Sequence, residues 1–417
     1  MYTAVYSREG LGYVRDVNDC VHAPRPSARG VHMSETKARA GKLRVGIISA
    51  NWGAKTHLPA WRTLSDDVEV TAICTSRRET AEAAAREHGI ARPFWSYEAM
   101  CADPDIDVID AGTSPVLREK LVTAALNGGK HVFNQLPFAP SREAAERLVK
   151  LQRDKGVTGA VAASVVGLPH LSLMKEMIDE GYLGEVFQVH CHWQMSYFLP
   201  VIPFFPYVWF GKAGHGVSVT RNHGSHMLHA LWHVFGRIES VVGRIETQLK
   251  TWELSPGETM TVETDDTCHA LLRFANGAMG TLATSWTAAD SPGFWIEAFG
   301  SKGRLRLEAL RYPSVATARL YAAKAALGTM APQGQEVPVP ERLFTVRGKV
   351  LDPSVGADPS TGGQLLSMVR LFDTFATTVR NGGEPLAGFT RALEVERVIA
   401  ALYESNVRKA WVEPAAG

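Results

Sequence analysis

Between residues 43 and 166, short apolar runs alternate with helical stretches, and this alternation constrains the fold more than any other feature. It begins at residues 42–58, KLRVGIISANWGAKTHL. Leu43, Val45, Ile47 and Ile48 read as a buried strand, followed by a tight turn and the start of a helix running over 56–64. Further apolar runs lie at 68–74, 106–110, 130–133 and 157–166. Between them come an alanine-rich helix over 77–88 stopped at Gly89, a short helix within 94–101, and helices over 116–126 and 141–155. Strands joined through helices must lie parallel, and strands buried on both faces read as continuous apolar runs. The expectation is an α/β protein with an N-terminal doubly wound parallel sheet.

The turn after the first strand carries the functional argument. A helix N-terminus presents unpaired N–H groups and a positive dipole end, which suits a dinucleotide's pyrophosphate. The usual G-x-G-x-x-G fingerprint is replaced here by Ser49, Asn51 and Ala54, with Ala50, Trp52 and Gly53 between them. Ser49 and Ala54 are small, and Asn51 tolerates positive φ. Gly53 sits one position early. Taken alone, the stretch reads equally as a plain strand–helix turn. At the end of the second strand, the position of the acidic residue that holds the ribose of NAD is occupied by Thr75, followed by Ser76, Arg77 and Arg78. Hydroxyls and guanidiniums there favour a 2′-phosphate, and so NADP over NAD. The alternative is that both arginines begin a solvated helix face.

The pattern changes after a helix over 171–179. Strands are expected at 186–192, 240–249, 268–274, 279–286, 295–299 and 303–308, several joined by hairpin turns such as Asn276-Gly277. This predicts an open, mostly antiparallel sheet with one embedded helix over 225–235. Residues 311–362 read as loops, and 364–379 and 390–407 as helices, the last packing back on the first domain. The domain reading is a dinucleotide-binding domain over 43–165, a substrate and dimerisation domain over 166–384, and a returning C-terminal helix within 385–417. Residues 1–42 read as a disordered or mis-called extension, with Met33 resembling a natural start.

A net charge of +1 in 417 residues makes no case for nucleic acid or an anionic membrane. Pro200, Pro203 and Pro206 break the longest apolar run. The five cysteines are scattered without a C-x-x-C pair, which points to reduced thiols and a cytoplasmic location.

Several motifs, in order, resemble the GFO/IDH/MocA oxidoreductases. They are the apolar strand from Val45 with Thr56, His57 and Ala60; Gly129 to Val132 with Pro137; Gly181 to Glu185; Gly224 to His226; Asp265 to Thr267 with Asn276 and Gly277; and Phe299 to Gly303. The entry around Lys55–Ala60 is similar to the branch that includes the yeast galactose-regulon repressor. The resemblance implies a Rossmann domain followed by an α/β domain whose open sheet forms homodimers or homotetramers. It also implies a nicotinamide dinucleotide and a small polyol, sugar or related substrate.

The resemblance places Thr113, Ser114 and Pro115 at the nicotinamide ribose. The family's Glu-Lys-Pro becomes Gln135, Leu136 and Pro137, so the lysine that contacts the reacting oxygen is missing. The family's D-x-G-x-H-x-x-D aligns with Asn222, Gly224, His226 and His229, keeping the histidine and losing both aspartates. His226 is thus the candidate general base, with Asn222 and His229 orienting substrate. His223, His226, His229 and His233 recur at helical spacing. An acid–base pair of His226 and His229, a zinc-type i, i+4 pair of His229 and His233, and purely structural histidines all fit that spacing. No carboxylate completes a metal set nearby, and no metal is assigned. Trp193, Tyr197 and His223 are candidate walls of a substrate pocket favouring an apolar ligand, although most aromatics in 193–210 fit a core or interface loop as well. Asp265 and Asp266 are read as opening a strand. Loss of the lysine leaves room for two other outcomes: a dinucleotide-binding pseudoenzyme or ligand sensor, and a lyase or glycoside-cleaving enzyme using the cofactor transiently.

Overall fold

The computed structural model describes residues 41–199, 208–310, 312–325, 334–352 and 364–415. The expected extension and the centre of the 193–210 stretch lie outside them. Strand β1 (Leu43–Ile48) is central because its last four residues are buried. It pairs in parallel with β2 (Val68–Cys74) on one side and β4 (Val108–Ala111) on the other. With β3 (Arg92–Phe94), β5 (His131–Asn134) and β6 (Gly159–Val161) it forms a six-stranded parallel sheet in the order β3-β2-β1-β4-β5-β6. This is the doubly wound order, with its crevice at the carboxyl ends of β1 and β4. Five helices connect these strands: α1 (Leu58–Thr63), α2 (Arg78–His88), α3 (Tyr97–Ala102), α4 (Pro115–Asn127) and α5 (Arg142–Lys155). Gly89 ends α2 in the left-handed conformation, φ 61°. Strand β3 was hidden in the sequence because it is three residues long and contains Pro93, which only an edge strand tolerates.

After α6 (Pro169–Asp179), β7 (Val186–Gln194) enters a second sheet. Its eight strands run β16-β15-β14-β13-β7-β12-β11-β8. They are β8 (Ile238–Glu246), β11 (Thr267–Phe274), β12 (Met279–Ser285), β13 (Phe294–Gly300), β14 (Gly303–Ala309), β15 (Ala318–Lys324) and β16 (Gln335–Glu336). Only β7 and β12 pair in parallel; the others are antiparallel. Strict alternation on β11 buries Cys268, Ala270, Leu272 and Phe274 under helices and turns His269, Leu271 and Arg273 outward. The expected 240–249 strand ends early, and a separate hairpin follows, β9 (Thr251–Ser255) with β10 (Glu258–Thr261). The segment read as loop holds β15, β16 and a small hairpin of β17 (Thr345–Val346) and β18 (Lys349–Val350). Strand β15, ARLYAAK, is alanine-rich, and alanine carries little strand signal.

Helix α7 (His223–Phe235) lies on the covered face of this sheet. The last two helices, α8 (Leu365–Asn381) and α9 (Phe389–Arg408), both return to the first domain, where only the last was expected. Phe372 of α8 stacks on Trp61 of α1 at 3.8 Å between ring centres. On α9, Phe389 meets Phe138 at 4.6 Å and fills the space that a Cβ on Gly159 would need. Among the described residues no helix is long and apolar enough to cross a membrane.

Candidate active site

The turn after β1 closes tightly. Ser49 has φ 146°, and its carbonyl accepts the N–H of Ala54 at 3.1 Å. The residue at positive φ is therefore Ser49 and not Asn51, whose N–H instead reaches Ser49 Oγ at 3.2 Å. The N–H groups of Ala50, Trp52 and Gly53 make no backbone hydrogen bond among the described residues. Gly53 has a definite role. A Cβ there would meet Ile47 Cγ2 at 2.9 Å, and one on Gly112 would meet Gly53 Cα at 3.0 Å. Two glycines thus let the turns after β1 and β4 touch, and the early glycine does the packing work of the fingerprint's own. Free N–H groups at a helix start fit a dinucleotide's phosphates.

Thr56 and His57 are buried under this turn and face the core. His57 was expected at the cofactor. Its ring is wholly buried between Phe133 and Phe372, with Nδ1–H donating to Asp110 at 2.8 Å and Nε2 meeting Gln135 Nε2 at 2.7 Å. Leu136 is also buried and lies in the core. The turn formed by Gln135, Leu136 and Pro137 is clasped by Arg118. That guanidinium donates to the carbonyls of Thr113 (2.9 Å), Gln135 (2.8 Å), Leu136 (3.2 Å) and Pro137. Burial pushes its pKa down to about 9, which leaves it charged at neutral pH. It ties the turn holding Thr113, Ser114 and Pro115 to the turn holding Gln135. Sequence reasoning missed Arg118 because a single arginine on a mixed helix carries no signal. Asp110 did leave one, as a carboxylate inside the buried strand VIDA.

At the end of β2 no carboxylate takes the ribose position. Thr75 Oγ1 donates to the Arg77 carbonyl at 3.0 Å and meets Thr80 Oγ1 at 2.6 Å. Arg78 bonds Glu82 at 2.8 Å and lies over the Trp95 ring. Its guanidinium therefore serves its own helix. Ser76 and Arg77 are exposed at the start of α2, and neither side chain has a partner among the described residues.

The loop before α7 is built by Asp265, which accepts from Thr220 N–H and Oγ1–H at 3.1 and 2.6 Å and from Tyr403 at 2.6 Å. Asp266 accepts the N–H groups of Gln248 and Leu249, both at 2.8 Å. Both carboxylates shape loops next to β11, which starts at Thr267. Arg221 pairs with buried Glu396 at 2.9 Å and donates to the Ala139 carbonyl. This links the start of the histidine helix to the segment just beyond Gln135. Asn222 is the residue before α7, and its side chain makes no cap bond.

The histidines differ sharply. His223 stacks on Trp193 at 3.9 Å and 3°, and its Nε2 accepts from Trp286 at 3.5 Å. Trp193 is fully buried and forms a platform under His223. Tyr197 is half-buried, 5.7 Å from the His223 ring, with burial raising its pKa. His226 stands edge-on to Trp193 at 5.9 Å. Its Nδ1 is buried without a partner among the described residues, and Nε2 is neither so buried nor bonded there, leaving that nitrogen open to a ligand. Burial pushes its pKa down to about 4, so the ring is neutral at pH 7. His229 was expected to assist it. The roughly 60° turn from position 226 to 229 carries the ring inward, where both nitrogens are buried with no partner among the described residues. Burial holds its pKa well below the ordinary value. His233 instead meets Arg391 at 3.2 Å.

Comparisons with known proteins agree with this construction. Residues 43–163 match the model of the oxidoreductase family with an NAD-binding Rossmann fold, and residues 171–306 match the GFO/IDH/MocA C-terminal domain. The chain is 23% identical over 395 residues to levoglucosan dehydrogenase of Pseudarthrobacter phenanthrenivorans, covering 89% of this chain and 98% of that one. It is 24% identical over 381 residues to scyllo-inositol 2-dehydrogenase (NADP(+)) of Bacillus subtilis, covering 88% and 94%. A solved structure of levoglucosan dehydrogenase with NADH and levoglucosan has the same fold, with a TM-score of 0.79 at 21% identity over 90% of this chain and all of that one. The two family models together span more than half of the sequence in its own order, and the chain belongs to the GFO/IDH/MocA oxidoreductases.

Proposed function

We propose that the protein is an NAD(P)-dependent oxidoreductase, NADP being preferred, that moves hydride to or from a hydroxyl or carbonyl carbon of a polyol, sugar or glycoside-like molecule. One observation carries the reading: a neutral histidine, His226, keeps Nε2 open on a helix tied by Arg221 to the turn beyond β5. The N–H groups of Ala50, Trp52 and Gly53 would hold the pyrophosphate. Ser76 and Arg77 would hold a 2′-phosphate, and Thr113 to Pro115 and Gln135 the nicotinamide ribose. The dinucleotide supplies the hydride donor or acceptor when bound. His226 takes the hydroxyl proton on Nε2 in oxidation and returns it in reduction, while Asn222 and Tyr197 orient substrate. Carbohydrate and cyclitol dehydrogenases among the relatives support the substrate class. The open face of the second sheet is proposed as the surface of a homodimer or homotetramer, and the cytoplasm as the location.

Leu136 favours a second reading. It sits in the place of the family lysine and is buried, so it gives no proton and stabilises no alkoxide. A dinucleotide-binding sensor, as in the branch of the galactose-regulon repressor, needs neither. Absorbance at the reduced-nicotinamide band, with polyols, cyclitols and aromatic glycosides as a panel, separates the two. Turnover is expected, and His226→Ala is expected to lower it by roughly 10²–10⁴-fold, the usual worth of a positioned base. Unchanged turnover in His226→Ala removes His226 from the chemistry. Tight binding without any turnover moves the protein to the sensor class.

A further inference from the structure

Asp110 lies wholly inside β4, and both its oxygens are spoken for. One accepts the indole N–H of Trp61 at 2.7 Å, and both lie within 2.9 Å of His57 Nδ1. A carboxylate facing Nδ1 keeps a proton on that nitrogen, and the amide nitrogen facing Nε2 makes Nε2 the acceptor. His57 Nε2 is then a lone pair, and only a donor can face it. The atom facing it is Gln135 Nε2 at 2.7 Å. Gln135 Oε1 in turn accepts the N–H of Leu136 at 3.1 Å. The carboxamide is therefore held at both ends, with one N–H remaining. A carboxylate at position 135 would set acceptor against acceptor, so the glutamine and the histidine tautomer are matched.

We propose that His57 is a positioning residue, anchored by Asp110 and Trp61, that orients the Gln135 carboxamide so that its remaining N–H meets the bound dinucleotide. This rests on the reading above that Gln135 faces the nicotinamide ribose. His57 itself touches no ligand, since the ring is fully buried and both nitrogens are engaged. Its influence runs through Gln135 alone.

The test is a double-mutant cycle read by NADPH binding to the full chain. His57→Asn keeps a donor near Asp110 and removes the acceptor facing Gln135. His57→Asn and Gln135→Ala are each expected to weaken binding roughly tenfold, about one hydrogen bond. The double variant is expected to bind no worse than Gln135→Ala. A double variant weakened by the product of the two effects, or a His57→Asn variant that binds as wild type, overturns the proposal. Where His57→Asn does not fold, His57→Gln and His57→Met replace it. The glutamine offers an acceptor and is expected to bind within about threefold of wild type, and the methionine about tenfold worse; equal affinities overturn the proposal. A ligand-free crystal structure of His57→Asn is independent of any dinucleotide. A rotated Gln135 carboxamide is expected, and an unmoved one is contrary. Wild type that binds neither NADPH nor NADH counts against the cofactor reading and leaves that structure to decide the positioning.

Discussion

Single residues decide how the crevice at the ends of β1 and β4 is shaped. Gly112→Ala would drive a Cβ to 3.0 Å from Gly53 Cα and 3.2 Å from its nitrogen, both backbone atoms that cannot step aside. The expected cost is about 1–3 kcal/mol of stability, with weaker dinucleotide binding. Gly214→Ala, with nothing within 4 Å, is the neutral control; both are read by urea unfolding. Arg77 makes a separate prediction. Its guanidinium is unpaired among the described residues while Arg78 is engaged by Glu82, so Arg77→Ala should act on the phosphorylated cofactor alone. Affinity for NADPH should fall roughly tenfold to a hundredfold, with NADH affinity unchanged in the same fluorescence titration. Equal losses for the two would assign the side chain to general stability.

At the scale of elements, α8 props the side of the crevice formed by β1, β4 and β5. Phe372 stacks on Trp61 and stands edge-on to Phe133 at 4.4 Å and to His57 at 5.5 Å. One aromatic ring of α8 thus packs His57, the helix that follows it and β5, the strand beside Asp110's own. Phe372→Ala should cost about 3–5 kcal/mol, measured by denaturant unfolding. A loss below about 1 kcal/mol would mean that α8 is only loosely docked. Helix α7 shows how far periodicity reaches. Its period was legible, and so was the candidacy of His226. Which histidine stays open was not legible, because His223 and His229 are sealed by Trp193, Trp286 and α9, partners far away in sequence.

Over the whole molecule, buried histidines set the response to acid. Burial pushes His131, His170, His226 and His233 down to about 4, and His223 and His229 well below their ordinary value. Above the unfolded pKa of about 6.5 neither state binds these protons, and stability is whole. As pH falls below that value the unfolded chain binds protons that the folded chain refuses. Each such histidine then costs about 1.4 kcal/mol per pH unit until its folded pKa is reached. Against a typical stability of about 5–15 kcal/mol, unfolding is expected between pH 6.5 and 4, before most carboxylates protonate. A flat stability profile over that window, read by circular dichroism, would contradict the burial of these rings.

The sequence by itself determined the doubly wound sheet, the antiparallel second half, the tight turn after β1 and the lack of a carboxylate at the end of β2. Each is written in local signals: period two or 3.6, glycine stops, and residue type at a turn. Short or alanine-rich strands such as β3 and β15 escaped because three residues with a proline, or a run of alanines, carry little local signal. The tertiary structure alone decided that His57 belongs to the core, that Arg118 clasps two turns, and that of the aligned histidines His226 keeps a nitrogen free. Those roles depend on pairs such as His57 with Asp110 and with Gln135, 53 and 78 residues apart. A hydrogen bond across that distance leaves no period in the chain, since it exists only once the sheet has brought β1, β4 and β5 side by side.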